Sequence, residues 1–281
     1  FALENAASEN CITVGQNSSL TIDSESLTIT TDNEALRSLV CVAGENSYFH
    51  LQAGKLMSRS ANIARAIVCL DNHATFVMSG GVIEGNEDTQ SRGVLLQSYA
   101  GEIRFTMSGG TIKNCHAIGR NDGGSNGGGV SIVGDHPAVF AMFGGTIEDC
   151  SAVLGGGVYV SISADVNANK GDVFVMDGGR IQNCSSTDRG GAIFLGANTK
   201  AIMDNGLIES CSAVNGGGAV YIYIGAAFKM NNGTIQKTES ANGGAVCVNG
   251  SIFTMNGGAI TKCTAKDSSG GAVYVMNGSA E

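Results

Sequence analysis

The sequence predicts an all-β fold: a single-stranded parallel β-helix (a solenoid) of eight or nine coils, each about 25 to 35 residues long. A Phe-x-Met motif recurs along the chain at spacings of 25 to 35 residues. The 281 residues include 42 Gly but one Pro and no Trp, which indicates many turns that need glycine conformations. No stretch shows the 3.6-residue apolar period of a helix.

The Phe-x-Met motif defines the first strand of each coil. Alternation places Phe and Met on one face of a short strand, which we expect to be the interior. Strands this short are not stable alone, so equivalent strands of successive coils should pair at about 4.8 Å. The motif occurs as Phe76-Val-Met78, Phe105-Thr-Met107, Phe140-Ala-Met142, Phe174-Val-Met176, Ala201-Ile-Met203, Phe228-Lys-Met230 and Phe253-Thr-Met255.

Two further strands are predicted in each coil. The second contains Gly-x-Ile, as at Ile147, and the third contains Gly-Gly-Val/Ala-x-Val/Ile, as in Gly156–Val160. We expect residues 1–48 to form an irregular N-terminal segment and first coil, and residues 49–281 to form the regular coils. The regular part is expected to be a fragment of a longer solenoid, or to continue into one.

A Gly-Gly pair follows the residue after Met, and in later coils its first member is Asn, as in Asn205-Gly206 and Asn232-Gly233. Gly and Asn both tolerate the left-handed backbone region. The exchange therefore predicts a conformational requirement at this turn, with no chemical role for the Asn side chain.

Five cysteines share one repeat position, three residues after the recurring Ile. Stacking would bring their Cα atoms to about 4.8 Å, within disulfide range, but their Cβ atoms would be too far apart without distortion. We therefore expect a structural ladder of small buried thiols, with inter-coil disulfides as the alternative; metal binding is disfavoured because no His joins the column. The ladder comprises Cys115, Cys150, Cys184, Cys211 and Cys263.

A second column follows the middle residue of the third strand and should point outward. Its aromatic members Tyr159, Phe194 and Tyr221 would form an exposed stripe, and Tyr274 lies further along the same column. Ordinary strand propensity and stacking between coils explain such a column. The functional interpretation is a binding surface for a partner chain or for sugar rings.

The segment Ile147–Val160 resembles the repeats of bacterial polymorphic outer-membrane and adhesin-like surface proteins, and Gly190-Gly-Ala-Ile193 and Gly217-Gly-Ala-Val220 match the second half of that pattern. The family's Asn falls on the cysteine column, where only Asn86 retains it. The resemblance covers about residues 49–281. It implies a right-handed β-helix, export to the cell surface, and adhesive or structural work.

The net charge of −9 argues against nucleic acid and anionic membranes as partners. The sequence contains no run of 18 apolar residues, so it predicts no membrane insertion. It opens at Phe1 without Met or the basic region of a signal peptide, and we therefore expect a processed or trimmed chain. The last coil is regular and lacks a polar cap. This predicts either further sequence in a parent protein or pairing with another copy of the chain.

The sequence predicts no catalytic site, no metal and no cofactor. The best catalytic candidates are Asp177 and Asp204, which would stack about 5 Å apart, a separation found in retaining glycosidases. A turn position where Asp satisfies its own backbone is the structural explanation, and calcium along this Asp/Asn line is a further alternative. The four histidines fall at unrelated repeat positions: His50, His73, His116 and His136.

Long insertions between strands are the other candidate sites, because function tends to reside on loops of a rigid scaffold. The loop over 161–173 is polar and could form a binding lip through Asp165, Asn167, Asn169 and Asp172. A tolerated insertion is the structural alternative.

We therefore expect a non-enzymatic, secreted or cell-surface β-helix that acts as an adhesin or stalk. Its partners would be other copies of itself, a host surface protein or a glycan. The alternatives are a subunit of a head-to-tail extracellular filament, and a carbohydrate-active enzyme, either a polysaccharide lyase or a glycoside hydrolase, on the same scaffold.

Overall fold

The structure is a computed structural model that describes residues 10–31, 36–59, 65–86, 90–118, 125–162, 173–277 and 279–280. These residues form a β-solenoid of about nine turns, in which every strand pairing is parallel and no helix occurs. The predicted parallel β-helix is therefore confirmed. Within the described ranges, no helix is long and apolar enough to cross a bilayer.

Strands are numbered in chain order and fall into three sheets. Sheet A contains the predicted third strand of each coil: β1 (Asn10–Val14), β4 (Ser38–Ala43), β7 (Ala66–Asp71), β10 (Arg92–Ser98), β13 (Val130–Gly134), β17 (Val158–Ile162), β20 (Ile193–Leu195), β23 (Val220–Ile222), β27 (Val246–Asn249) and β31 (Val273–Met276).

Sheet B contains both the Phe-Met strands and the Ile strands. Its members are β2 (Ser19–Ile22), β3 (Thr28–Thr31), β5 (Tyr48–Leu51), β6 (Lys55–Ser58), β8 (Thr75–Met78), β9 (Val82–Glu84), β11 (Ile103–Met107), β12 (Thr111–Lys113), β14 (Ala138–Met142), β15 (Thr146–Glu148), β18 (Phe174–Gln182), β21 (Lys200–Glu209), β24 (Ala227–Met230), β25 (Thr234–Gln236), β28 (Ile252–Met255), β29 (Ala259–Thr261) and β32 (Ser279–Ala280).

Sheet C was not predicted. It follows the cysteine column in five coils and comprises β16 (Ser151–Leu154), β19 (Ser185–Arg189), β22 (Ser212–Ala213), β26 (Glu239–Asn242) and β30 (Thr264–Ser269). These segments are rich in Ser and charged residues and lack apolar alternation. Their strand structure depends on pairing between coils, which a single coil's sequence does not display.

The core consists of stacked identical side chains. Phe105 lies opposite Phe140 and Met107 opposite Met142 in the strand register, and all four are buried. The phenylalanine rings stack, with centroids 4.7 to 5.1 Å apart from Phe49 to Phe174. Ile112 and Ile147 align in the same way in the Ile strands. The predicted vertical alignment is therefore confirmed. The strands between residues 10 and 48 continue the same register, as in Leu20 opposite Phe49.

The turn after Met differs from its prediction in one respect. The second glycine takes the left-handed conformation, as in Gly110 with φ of 80°, and among the first glycines of these pairs Gly178 alone has a positive φ. A Cβ on the first glycine would meet the carbonyl oxygen of the preceding coil, as at Gly109, where Ser79 O would lie 2.3 Å away. Asn205 and Asn232 have ordinary φ values. The prediction that Asn acts here only through its backbone conformation is therefore wrong.

The outward face of the Ile strands carries a polar ladder that avoids like charges. Glu84, Lys113, Glu148, Gln182, Glu209 and Gln236 follow one another in register. Gln182 Nε2 donates to Glu148 Oε2 at 2.7 Å, and Gln236 Nε2 donates to Glu209 Oε2 at 3.0 Å. Because carboxylates alternate with amides or a lysine, parallel stacking does not bring two of them together along this stretch.

Candidate functional site

A shallow groove of about 320 Å³ spans three consecutive turns from sheet A into sheet B, those that follow β4, β7 and β10. The turns between β4 and β5, between β7 and β8, and between β10 and β11 each contribute side chains. The size is at the lower end of small-molecule sites, which span roughly 300–1,000 Å³. The groove is lined by Glu45, Asn46, His73, Thr75, Glu102 and Arg104.

Left-handed turn residues lie in the groove (Asn46 and His73) and next to it (Asn72). Asn46, Asn72 and His73 have φ values of 55°, 46° and 65°, a region that Asn and His enter more readily than most residues. The Gly44 amide donates to Asn72 O at 2.8 Å, which holds the first two turns together. A Cβ on Gly101 would lie 2.3 Å from the His73 ring, so glycine at this position lets the ring pack against the third turn.

Strand alternation directs two of the lining side chains, Glu102 and Arg104, toward solvent. Ile103 is fully buried, so its neighbours Glu102 and Arg104 project toward solvent, where they form an ion pair. Arg104 also lies opposite Thr75 of the preceding coil in the strand register. The groove therefore combines guanidinium and amide donors with carboxylate and hydroxyl oxygens on a rigid scaffold.

This mixture of donors and acceptors suits a polyhydroxylated ligand. A carboxylate can accept hydrogen bonds from neighbouring hydroxyl groups, and a guanidinium can donate several in a fixed plane. In the part of the chain that the structure describes, no group of three or more His, Cys, Asp or Glu side chains is arranged to hold a metal ion.

The aromatic column exists, but the prediction that it is exposed is wrong. The rings of Tyr159, Phe194 and Tyr221 stack at 5.4 and 5.5 Å, yet only 6% of Phe194 and 2% of Tyr221 is exposed. Tyr274 is half-buried and is separated from Tyr221 by Cys247. The column therefore cannot offer a continuous aromatic binding face.

The segment that leads into sheet A covers this column. The Arg189 guanidinium lies 5.3 Å from the centre of the Tyr221 ring, and a Cβ on Gly216 would lie 3.2 Å from the same ring. Asn249 Nδ2 donates to the Tyr221 hydroxyl at 3.0 Å, which satisfies the buried polar end. The column is thus a second, smaller core between sheet A and the segment after the cysteine turn.

The turn that precedes sheet C positions the cysteine ladder. The residue before each cysteine is left-handed, with φ between 53° and 56°, as at Asn114, Asp149 and Asn183. Each thiol donates to the carbonyl oxygen two residues earlier at 3.1 to 3.3 Å. Cys115, Cys150, Cys184 and Cys211 are buried, Cys263 is half-buried, and all nine cysteines of the chain are free thiols.

Burial raises the pKa of Cys150 and of Cys211 well above the usual thiol value. The thiolate is the form that reacts with electrophiles and soft metals. Burial therefore keeps Cys150 and Cys211 as neutral packed thiols. Burial also opposes ionisation of Cys184 between them, but hydrogen bonds with Cys150 and Cys211 bring its pKa well below the usual thiol value.

The predicted stacking of Asp177 on Asp204 is wrong. Met176 aligns with Met203, but a register shift follows, so that Asp177 lies opposite Asn205. Asn205 Nδ2 donates to Asp177 Oδ1 at 2.9 Å, and Asn231 Nδ2 donates to Asp204 Oδ1 at 2.7 Å. Each carboxylate thus begins its own asparagine ladder, and both accept a hydrogen bond from an asparagine of the next coil.

The predicted binding lip at Asp165, Asn167, Asn169 and Asp172 lies outside the described residues. Three of the four histidines have local partners: His50 contacts Ser79, His116 contacts Ser151, and His136 contacts Asp135. The fourth, His73, lies in the groove. Sequence reasoning missed the groove because its residues come from turns of different length. The signal that could have identified it is a polar turn that recurs after each sheet A strand: Gly44-Glu-Asn46, Asn72-His73 and Gly101-Glu102.

Comparison of the chain with protein-family models, with curated proteins and with solved structures found no significant match.

Proposed function

We propose that this chain is a non-enzymatic, extracellular or cell-surface β-solenoid that works as an adhesive rod, and that the groove is its contact point for a glycan. The groove's side chains carry the proposal: donors and acceptors suited to sugar hydroxyls, presented on adjacent coils of a rigid stack. The polar and asparagine ladders support the rod role, because they tie neighbouring coils together along the outer surface.

The environment of Glu102 favours binding over catalysis. A carboxyl group that serves as general acid in sugar hydrolysis is usually held in apolar surroundings. The Glu102 side chain is 44% exposed and is paired with Arg104. The pair leaves both charged groups open to solvent, where they can exchange partners with sugar hydroxyls.

The test is binding of the purified chain to a glycan array. Arg104→Ala should weaken any retained glycan by at least about tenfold, which corresponds to the loss of one charge-assisted contact. Arg180→Ala is the matched control, because Arg180 is also exposed and paired with a glutamate, Glu209, but lies on an Ile strand outside the groove. Absence of glycan binding, or equal effects of the two substitutions, would overturn the proposal.

A carbohydrate-active enzyme is the second candidate, because Glu45 and Glu102 both reach the groove beside His73. Incubation with polysaccharides should then yield new reducing ends or unsaturated products, and Glu45→Gln or Glu102→Gln should abolish them. Electron microscopy separates the rod from the filament alternative: isolated particles support an adhesin or stalk, and long fibres support head-to-tail assembly.

A further inference from the structure

We propose that Cys41 and Cys69 form a site of reversible oxidation, at which a small-molecule disulfide converts the two thiols into a disulfide between adjacent coils. This inference rests on the pairing and exposure of the cysteines and is independent of the glycan proposal.

The two cysteines face each other directly. Cys41 of β4 lies opposite Cys69 of β7 in the parallel register, on the outward face of sheet A. Paired parallel strands place Cα atoms about 4.8 Å apart, within the 4.4 to 6.8 Å range of disulfides. Bond formation therefore needs a small approach of the two Cβ atoms and no change of register.

The surroundings supply charge and access. Cys41 retains 7% exposure, and the Arg65 guanidinium lies 3.9 Å from the Cys69 sulfur. Asp71 is the acidic group at this site and is paired with Arg65 at 3.4 Å. A hydrogen bond from the Cys69 thiol lowers the pKa of Cys41, and burial opposes this effect; Arg65 and Arg37 lower it further, whereas Asp71 raises it. The same hydrogen bond, together with burial, raises the pKa of Cys69 well above the usual thiol value, so Cys41 is the attacking thiol and Cys69 stays protonated until the second exchange.

The chemistry proceeds by two thiol–disulfide exchanges. The Cys41 thiolate attacks one sulfur of the oxidant, whose other sulfur leaves as a thiolate and takes up a proton. The Cys69 thiol then loses its proton and attacks the Cys41 sulfur, which releases the second half of the oxidant as a thiol. Two protein thiols are oxidised and one small disulfide is reduced to two thiols.

The reaction requires a facing thiol on the neighbouring coil and some exposure to solvent, and each of the other cysteines lacks one of these. The buried ladder cysteines have thiol neighbours but are at most 1% exposed: Cys115, Cys150, Cys184 and Cys211. Cys247 is 1% exposed and lies between Tyr221 and Tyr274 in the register. Cys11 is half-buried but lies beside Leu39 in the register, because Asn10 pairs with Ser38 and Ile12 with Val40. Cys263 is half-buried, and its neighbour in the preceding coil is Thr238. The pair Cys41–Cys69 combines two facing thiols with a small exposed fraction on one of them, 7% for Cys41, while Cys69 is fully buried beneath it.

The experiment treats the native full chain with hydroxyethyl disulfide, blocks the remaining thiols with an alkylating reagent, and maps peptides by mass spectrometry. We expect a peptide pair linked through Cys41 and Cys69, with the loss of two of the nine free thiols and their recovery on reduction. In Cys69→Ser the reaction should stop at a mixed disulfide on Cys41. Cys150→Ser should leave the linked peptide unchanged.

Retention of both thiols under conditions that modify Cys11 or Cys263 would overturn the proposal. A linked peptide that joins two ladder cysteines in place of Cys41 and Cys69 would do the same. The result in the unmodified chain decides the matter even if a serine variant folds poorly.

Discussion

Met142 lies directly opposite Met176 on adjacent coils, and both side chains are completely buried. The same relation repeats for Phe, Met and Ile through the stack, so one side chain's packing partner is its own counterpart one coil away. Each coil packs only against its neighbours, so a substitution in one coil should chiefly affect the packing of the coils directly above and below it.

Met176→Ala should lower the free energy of unfolding by about 2–5 kcal/mol, the usual cost of truncating a large buried aliphatic or thioether side chain. Val175→Ala is the control, because Val175 is the adjacent residue on the outward face and is only half-buried. Chemical denaturation of both variants measures the difference. Equal losses of unfolding free energy in the two variants would contradict the placement of Met176 in the core and of Val175 on the outward face.

Gly110→Ala should destabilise the chain by about 2 kcal/mol or more, because Gly110 is left-handed and a Cβ would lie 2.5 Å from Gly80 O. Gly15→Ala should change stability by less than about 1 kcal/mol, since a Cβ there meets nothing within 4 Å. Thermal unfolding compares the two variants, and a harmless alanine at position 110 would contradict the turn geometry.

Phe194→Ala tests the burial of the aromatic column. We expect a loss of about 3–5 kcal/mol, because Phe194 is buried between Tyr159 and Tyr221. Phe143→Ala should cost less than about 1 kcal/mol, since 52% of Phe143 is exposed. An equally small loss of unfolding free energy for Phe194→Ala and Phe143→Ala would contradict the burial of the column.

Alkaline pH should weaken the fold through Cys247. Burial raises the pKa of Cys247 from 9.0 to about 11. The folded state thus favours the neutral thiol, so its contribution to stability is complete below pH 9 and is lost as the pH rises toward 11. The midpoint of thermal unfolding of the unmodified chain should therefore fall relative to that of Cys247→Ser across this window. A constant difference between the two proteins would contradict the assignment.

The sequence predicts the core well, because the inward-facing residues repeat from coil to coil, with Phe, Met and Ile at most levels and exceptions such as Ala201 and Leu51. It does not predict the burial of Tyr221, since the covering groups are Arg189 and the backbone at Gly216, which lie outside the repeating apolar pattern. The register shift that separates Asp177 from Asp204 is a local irregularity of pairing that a second shift before Arg180 reverses, so motif spacing does not reveal it.

The groove could not be predicted from the repeat because it is a property of turns. His73 shares no repeat position with the other histidines, yet its left-handed backbone and the glycine at position 101 bring it beside residues of the neighbouring turns. Contacts between turns of unequal length depend on coil stacking, which a one-dimensional pattern describes only for the strands.

Cross-linking across the Phe-Met strands tests the in-register stacking most directly. Ala141 lies opposite Val175, and Val175 lies opposite Ile202 one coil further on. With Ala141→Cys and Val175→Cys combined, a thiol cross-linker that spans about 5 Å should join positions 141 and 175 in most molecules, as peptide mapping would show. The pair Ala141→Cys and Ile202→Cys, two coils apart, should remain unlinked. Efficient linkage of 141 to 202, or none between 141 and 175, would contradict the stacked β-solenoid.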